Sequence, residues 1–330
     1  MTPAQAPRKR RWVVGLVVLV GLALLLSVVG ILQNGPKPPP LGQGPETSTS
    51  PPAPRKPADC PDVQVIYVPG TYEITPAADP TVAVGLLKAV ADPLANRFRD
   101  RPGRLSNYFV PYLAQFNNPT PYFQSEQDGV RAASAAMAAT SKRCPDAVFG
   151  LVGFSQGAAS AGDLATMIGQ GGGVIAPEKL IGVGLVSDPN RSPATEALVG
   201  PEVGGAGLGG PRPKDFGAVG GRVVTFCAPG DLICATPPGA ANLANLPATL
   251  ALVGQYMQSG VHASYATYKV DAGQSATQWL ARWLGDKVEK APKGYQIFDT
   301  SVQKRTVGGF GAAWPVQPRG TPEGAGRMRL

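Results

Sequence analysis

The chain has 330 residues, a formal net charge of +8, 42 glycines, 35 prolines, four cysteines and one histidine. This length accommodates one large domain or two small ones. A single histidine excludes metal centres built from several imidazoles, and four cysteines barely suffice for one cysteine-only zinc site. Because the cysteines also lack a C-x2-C pair, we expect no metal and no other cofactor.

The positive charge is concentrated outside the central part of the chain. Residues 1–11 carry +4, residues 33–58 carry +2 and residues 305–330 carry +3, which leaves −1 for residues 59–304. A nucleic-acid-binding domain needs a basic face on the fold itself. We therefore do not expect nucleic acid as a partner of this near-neutral central part.

An apolar segment from Trp12 to Leu32 contains no charged residue and is long enough to span a bilayer as a helix. Arg8 to Arg11 precede it, so the positive-inside rule predicts a cytoplasmic N-terminus and an exported remainder. A cleaved signal peptide is the alternative, although its apolar core usually has only about 7–15 residues. We expect a single-pass protein of the cell membrane, which would be secreted if the anchor were cleaved.

Two segments of low complexity flank residues 59–304. Residues 33–58 contain nine prolines and predict an extended linker. Residues 305–330 are rich in glycine and proline and predict a poorly ordered tail. The folded domain is accordingly predicted to span residues 59–304, a length that suits a single α/β domain with one core.

The predicted elements of this domain alternate between strands and helices. Strands are predicted at 63–68, 105–112, 147–154, 180–186 and 222–226, and helices at 82–98, 125–141, 156–169 and 274–288. In the last helix, Trp279, Leu280, Trp283 and Leu284 recur at helical spacing and are expected to face the core. This alternation predicts an α/β fold whose central, mostly parallel sheet is covered by helices on both faces.

The predicted strand 147–154 runs into Gly153-Phe154-Ser155-Gln156-Gly157, which is a G-x-S-x-G motif. In such a motif a sharp strand-to-helix turn lifts the serine hydroxyl above the sheet, and the glycines avoid clashes in the turn. The following helix directs free N–H groups at the place where negative charge would develop. An ordinary loop could carry the same residues, but the position between an apolar strand and a helix of small residues favours a nucleophile.

A serine nucleophile needs a base, and His262 is the only histidine in the chain. In α/β-hydrolases the catalytic residues follow the order serine, acid, histidine. His262 lies after the last predicted strand and before the closing helix, as that order requires. The sequence therefore predicts His262 as the base.

Asp231 is the predicted acid, because it lies between Cys227 and Cys234 in the segment after the last strand. A disulfide between these cysteines would close a small rigid loop that presents Asp231 to the imidazole. Asp188 and Asp215 are the other candidates. Asp188 also follows an apolar strand, but it lacks an enclosing bridge.

An exported chain with an even number of cysteines is expected to form disulfides. Four cysteines allow three pairings. If Cys227 pairs locally with Cys234, the remaining bridge joins Cys60 to Cys144. That bridge would tie the start of the domain to the segment before the nucleophile strand.

Together these residues resemble the cutinase family, and most closely the membrane-anchored, cutinase-like envelope lipases of mycolic-acid bacteria. The resemblance covers about residues 59–290 and rests on the four cysteines and on four motifs: IYVPGT at 66–71, GFSQG at 153–157, C-x3-D-x2-C at 227–234 and H-x-x-Y at 262–265. It implies an α/β-hydrolase fold and a triad of Ser155, His262 and Asp231. It also implies an oxyanion hole formed by the Gln156 backbone N–H with the backbone N–H and hydroxyl of Thr71, where fungal cutinases carry serine.

The reaction implied by this resemblance is the hydrolysis of lipid esters or thioesters through an acyl-enzyme on Ser155. Phospholipase A, lipase and thioesterase activities in the cell envelope all fit, and we expect a monomer. Residues 200–221, with nine glycines, are either a loose loop or a mobile rim of the pocket. Residues 243–257 are nearly uncharged and are either a packed helix or an apolar flap.

Three alternatives remain open. An acyltransferase would use the same triad but would pass the acyl group to a sugar or lipid alcohol. A non-catalytic envelope-binding protein would retain the fold with an inactive site. A structural role in the cell wall would depend on the linker and tail alone.

Overall fold

In the computed structural model, the described residues are 59–116, 119–238, 256 and 259–293. The predicted basic segment, membrane anchor, linker and tail lie outside these residues, as does most of the apolar segment 243–257. Within the described part of the chain, no helix combines the length and the apolar character needed to cross a membrane.

The central sheet contains six parallel strands within the described residues. They are β1 (Val63–Val68), β2 (Leu105–Phe109), β3 (Val148–Phe154), β4 (Leu180–Val186), β5 (Ala197–Leu198) and β6 (Val223–Phe226). Their order across the sheet is β2-β1-β3-β4-β6-β5, and each neighbouring pair is parallel. The inner strands β1 and β3 are buried along their whole length, which explains their nearly continuous apolar sequences.

Four α-helices of the described chain flank this sheet. They are α1 (Lys88–Phe98), α2 (Tyr122–Arg143), α3 (Gln156–Gly169) and α4 (Ala276–Lys290). α1 packs against α4, and α2 packs against α3. The predicted α/β-hydrolase class, with helices around a parallel sheet, is confirmed.

α4 approaches the sheet closely because β4 contains glycine at the contact. A Cβ atom on Gly184 would lie only 2.6 Å from the side chain of Leu280. Leu280 and Leu284 are fully buried, whereas Trp279 and Trp283 are partly buried and pack against the same core. The prediction that these four side chains face the core is therefore confirmed.

The helix predicted from residue 82 begins only at Lys88. Gly85 has a φ of 58°, and a Cβ atom there would overlap the carboxylate of Glu73, so the chain turns before the helix starts. In this turn the N–H of Leu86 donates to Glu73 Oε1 at 2.8 Å. The other predicted ends lie within three residues of the observed ones, and β5 is a strand that was not predicted.

Two disulfides join the four cysteines. Cys60 is bonded to Cys144, which lies 84 positions later at the end of α2. Cys227 is bonded to Cys234 and closes the loop that follows β6. The first bridge connects the start of the domain to the segment before β3, and the second surrounds Asp231.

Candidate active site

Ser155 lies at the sharp turn between β3 and α3. Its backbone has a φ of 55° and a ψ of −123°, which is a strained conformation for a residue with a side chain. A Cβ atom on Gly153 would overlap the carbonyl oxygen of Gly157, and one on Gly157 would overlap that of Val68. Both glycines of the motif are therefore required by backbone contacts, as in a nucleophile elbow.

The imidazole of His262 lies between Ser155 and Asp231. Its Nε2 is 2.8 Å from Ser155 Oγ, and its Nδ1 is 3.1 and 3.2 Å from the two carboxylate oxygens of Asp231. Because an ionised carboxylate only accepts hydrogen bonds, the network assigns the proton to Nδ1 and leaves the lone pair of Nε2 facing the serine hydroxyl. In this geometry the imidazole can remove the serine proton.

Asp231 is completely buried, and its carboxylate accepts several hydrogen bonds besides those from the imidazole. Ser187 Oγ donates to Oδ2 at 2.6 Å, Tyr265 OH donates to Oδ2 at 2.7 Å, and the N–H of Ile233 donates to Oδ1 at 3.1 Å. Burial opposes ionisation, but the hydrogen bonds from His262, Ser187 and Tyr265 outweigh it and hold the pKa of Asp231 below its usual value. Asp231 is therefore a carboxylate when the imidazole takes up a proton.

Ser187 belongs to this site although no sequence motif contains it. It follows β4 directly, and its hydroxyl lies 3.1 Å from His262 Nδ1 as well as 2.6 Å from Asp231 Oδ2. Tyr265 is the tyrosine of the H-x-x-Y motif and shares a 3₁₀ helix (Val261–Ala266) with His262. The signal that could have indicated Ser187 is its place at the carboxyl end of a parallel strand, the edge where α/β sheets bind ligands.

The two other candidate acids lie away from the imidazole. The carboxylate of Asp188 is fully buried and pairs with Arg212 at 2.6 Å. Asp215 accepts hydrogen bonds from the side chain of Gln170 and the N–H of Gly217. Within the described part of the chain, neither carboxylate forms a hydrogen bond with His262.

Thr71 and Gln156, the residues predicted for the oxyanion hole, carry backbone N–H groups that are free of described protein acceptors. Gln156 is the first residue of α3, where a helix leaves its N–H unpaired. On either side of Thr71, the N–H of Gly70 donates to Glu73 Oε2 at 2.8 Å and that of Tyr72 donates to the Ala114 carbonyl at 2.6 Å. These bonds fix the loop around Thr71, whose part in an oxyanion hole stays a prediction.

The side chain of Gln156 fixes the start of α3. It is fully buried, its Nε2 donates to the Gln115 carbonyl at 2.8 Å, and its Oε1 accepts from Ser125 Oγ at 3.2 Å. The amide group is thus occupied by protein partners on α2 and the preceding loop. Only the backbone N–H of this residue is available to a ligand.

Comparison with known proteins identifies the family. The model of the cutinase family matches residues 59–284. The chain belongs to the cutinase family. It is also 32% identical over 317 residues to the Carboxylesterase Culp6 homolog of Corynebacterium glutamicum, an alignment that covers 85% of this chain and 99% of that protein. These matches confirm the resemblance seen in the sequence and make the chain an esterase of the cutinase family.

Solved structures of similar fold include two fungal proteins. The catalytic core domain of acetyl xylan esterase from Trichoderma reesei is 18% identical, with a TM-score of 0.47 over 71% of this chain and 100% of that one. A cutinase-like protein from Cryptococcus sp. is 17% identical, with a TM-score of 0.43 over 71% of this chain and 97% of that one.

In this cutinase-family chain, the glycine-rich segment 200–221 is held in place by the buried side chain of Arg212. Arg212 Nε lies 2.8 Å from the carboxylate of Asp163, which is on α3. A second guanidinium nitrogen donates to the Ala159 carbonyl at 3.1 Å, in the first turns of the same helix. Both predicted forms, a loose loop and a mobile rim, assumed a segment that is free to move, whereas these contacts fix the part around Arg212 to the helix that follows Ser155.

A cavity of about 710 Å³ adjoins the loop that carries Asp231. Among the described residues that line it, Glu202 is the charged one; the described apolar lining consists of Val203, Pro229, Leu232, Ala235, Pro237, Pro238 and Tyr256. The ring of Tyr256 lies edge-on to that of His262, with 6.0 Å between the centroids. The cavity and the imidazole thus share Tyr256 as a neighbour, and neither His262 nor Ser155 is among the described residues that line the cavity.

Proposed function

We propose that this chain hydrolyses lipid esters or thioesters in the cell envelope through an acyl-enzyme on Ser155. The observation that carries the proposal is the 2.8 Å contact between His262 Nε2 and Ser155 Oγ, with the buried carboxylate of Asp231 on the opposite side of the ring. This is the arrangement by which a weak serine nucleophile is activated.

The proposed reaction has two halves. As Ser155 Oγ attacks the carbonyl carbon, its proton moves to His262 Nε2, and the imidazolium then gives that proton to the departing alcohol or thiol. In the second half His262 takes a proton from water, the hydroxide attacks the acyl-enzyme, and the proton returns to Ser155 Oγ as the acid leaves. Asp231 stays ionised and stabilises the imidazolium in both halves.

The oxyanion that forms in each half would be bound by the free N–H groups of Thr71 and Gln156. Loss of one such donor typically lowers kcat by about 10²–10³-fold. The bonds that hold Gly70 and Tyr72 on either side of Thr71 support this role, because a donor contributes most when it does not have to reorganise.

Three exposed aromatic side chains favour a substrate with an apolar acyl group. Tyr72 is 70% exposed, Phe116 59% and Phe123 69%. Tyr72 follows Thr71 directly, and its bond to the Ala114 carbonyl brings the loop with Phe116 beside it. Phe123 lies in the first turn of α2 next to that loop. Large apolar side chains exposed together mark a surface for an apolar ligand.

The apolar cavity lined by Tyr256 favours a substrate whose leaving group is apolar as well. Because the imidazolium gives its proton to the departing oxygen or sulfur, the leaving group must lie on the imidazole side of Ser155. Tyr256, whose ring lies 6.0 Å from that of His262, lines the cavity, and the volume of the cavity falls in the range of ligand-binding pockets. An alcohol or thiol with an apolar body fits this lining better than a free sugar.

The envelope location rests on the sequence alone. An anchor at 12–32 followed by a proline-rich linker at 33–58 would hold the domain near the membrane surface, where lipid esters are concentrated. Membrane tethering and an apolar site favour the same class of substrate.

The test uses the full chain in detergent micelles against a panel of phospholipids, triacylglycerols, acyl thioesters and nitrophenyl esters of increasing chain length. We expect hydrolysis that Ser155→Ala abolishes, with labelling of the wild type by a serine-reactive fluorophosphonate. Ser160→Ala is the matched control, since it removes a buried serine hydroxyl on α3, the helix that follows Ser155. Full activity of the Ser155→Ala variant would contradict the mechanism.

Product analysis separates the alternatives. With glycerol added as an acyl acceptor, a hydrolase releases mainly free fatty acid, whereas an acyltransferase gives mainly the acylated acceptor. A non-catalytic binding protein gives neither product and is not labelled by the fluorophosphonate.

A further inference from the structure

The hydroxyl of Ser187 contacts both the carboxylate of Asp231 and the imidazole of His262, on the edge of the ring that faces away from Ser155. Its Oγ is 2.6 Å from Asp231 Oδ2 and 3.1 Å from His262 Nδ1. A serine hydroxyl has one proton and two lone pairs. Since that proton is donated to the carboxylate, Oγ can only accept at Nδ1. The Nδ1–H group therefore faces three oxygens, two from Asp231 and one from Ser187.

The backbone of Ser187 is held in a conformation that serine rarely adopts. Its φ is 52°, in the left-handed region that glycine occupies without strain. Its N–H donates to the Phe226 carbonyl at 2.8 Å, and the next residue, Asp188, is fixed by the ion pair with Arg212. A residue that carries a side chain at such a position, buried and fixed from both sides, is typical of a functional site.

Tyr265 provides an internal comparison. Its hydroxyl donates to the same oxygen, Asp231 Oδ2, at 2.7 Å, but it has no hydrogen bond to the imidazole within the described residues. Tyr265 thus helps to orient the carboxylate alone. Ser187 is placed to orient the carboxylate and the imidazole together.

We propose that Ser187 is a positioning residue of the active site, whose hydroxyl fixes the orientation of His262 so that Nε2 faces Ser155 Oγ. The proposal rests on the function proposed above and adds a fourth side chain to it. Without the hydroxyl, Nδ1–H retains only the carboxylate oxygens, and the ring can turn more freely about its Cβ–Cγ bond. Rotation moves Nε2 away from the serine hydroxyl.

Two variants separate the hydroxyl from the backbone. Ser187→Ala removes the hydroxyl and keeps a Cβ atom at positive φ, whereas Ser187→Gly removes the hydroxyl and also the strain. We expect both to lower kcat by about 10- to 100-fold, on the scale of a hydrogen bond to a charged group, with little change in KM. A role confined to backbone shape predicts instead that Ser187→Gly is as active as the wild type.

Ser275→Ala is the matched control for lost packing. Ser275 is also buried, and it caps α4 rather than touching the triad. This variant should lose stability and keep its kcat. Ser187→Gly, in which the backbone strain is relieved, should retain its fold and still lose kcat.

A spectroscopic readout reports on the ring itself. The chain has one histidine, so selective ¹⁵N-histidine labelling gives the signals of His262 alone. Loss of an oxygen beside Nδ1–H should shift that proton resonance and speed its exchange with water in both Ser187 variants. Ser275→Ala should leave the resonance unchanged.

The outcomes distinguish this inference from the proposed function. If Ser155→Ala abolishes activity but both Ser187 variants keep the wild-type kcat and Nδ1 resonance, the positioning role is overturned and the triad stands. If Ser155→Ala remains active, the triad itself fails. Loss of kcat in both Ser187 variants, with Ser155→Ala inactive, supports the positioning role.

Discussion

Asp188 and Arg212 form a buried ion pair, with 2.6 Å between a carboxylate oxygen and a guanidinium nitrogen. Asp188 is fully buried, and the Arg212 side chain is only 6% exposed. The guanidinium is further satisfied by Asp163 and by backbone carbonyls of α3. This pairing explains why the aspartate next to the active site is a structural residue, while Asp231 faces the imidazole.

The same substitution should lower stability at Asp188 and catalytic activity at Asp231. Asp188→Asn leaves a buried guanidinium without one of its partners, which we expect to lower the free energy of unfolding by about 3–5 kcal/mol. Asp231→Asn should lower kcat by about 10⁴-fold, because an amide cannot hold the imidazole in the reactive tautomer. Urea unfolding and steady-state kinetics on both variants test this, and an Asp188→Asn protein with normal stability but no activity would reverse the assignment.

The two disulfides should have separable effects. Replacing Cys60 and Cys144 by serine opens a loop of 84 positions, and the chain-entropy model gives a loss of about 4–5 kcal/mol. Replacing Cys227 and Cys234 opens one of seven positions and gives about 2–3 kcal/mol. Because the second bridge surrounds Asp231, its removal should lower kcat more than removal of the first. Equal kcat in the two double variants, measured well below their melting temperatures, would contradict this role.

Glu126 should make the folded state less stable as the pH rises. Burial, reinforced by the nearby Asp163, raises the pKa of Glu126 from 4.5 to about 7. The folded state then holds a proton that the unfolded chain has lost, so stability falls between about pH 4.5 and 7. Glu126→Gln should make the melting temperature depend less on pH in this window. Burial also raises the pKa of Glu196 to about 7, so part of the pH dependence of stability remains in this variant.

The control for that experiment is Glu178→Gln, since Glu178 is exposed. Its melting curve should follow the wild type at every pH. If the melting temperature of Glu126→Gln depended on pH as strongly as that of the wild type, Glu126 would ionise in the folded state as it does in the unfolded chain.

The exposed aromatic side chains should matter for long acyl chains only. Tyr72→Ser and Phe123→Ser are expected to lower the rate on an emulsified long-chain ester by about tenfold, equivalent to losing part of the apolar contact of one ring. The rate on a soluble short-chain nitrophenyl ester should stay the same. Val174→Ser is the control, because Val174 is an exposed apolar residue outside the site. An equal loss on both substrates would indicate damage to the site instead.

Much of the fold was predictable because its signals are local. The buried strands β1, β3 and β4 have apolar sequences that periodicity detects, and the G-x-S-x-G motif marks the turn between β3 and α3. The start of α1 was misplaced because Gly85 is paired in space with Glu73, which lies 12 positions earlier. A contact between separate turns leaves no periodic pattern.

The residues of the site were predictable only where the residue type is rare in the chain or where the residue lies between two cysteines. His262 is the only histidine, and Asp231 lies between two bonded cysteines. Ser187 is one of many serines, and its role depends on β4 lying beside β3, which brings the ends of the two strands together. Arg212 likewise lies among glycines that predict no packing, although its side chain reaches α3 and Asp188. Such relationships follow from strand order and not from local sequence.

The non-glycine residues with positive φ in the described chain are Tyr72, Ser155 and Ser187. Ser155 and Ser187 belong to the candidate active site, and Tyr72 follows Thr71, the predicted oxyanion donor. Glycine would occupy each of these positions without strain. A laboratory selection for heat resistance alone should therefore admit glycine at 155 and 187, and the resulting stable proteins should be inactive in the first case and slow in the second. Thermostabilisation of this esterase needs an activity screen in every round, since its catalytic centre is a place where stability and turnover favour different residues.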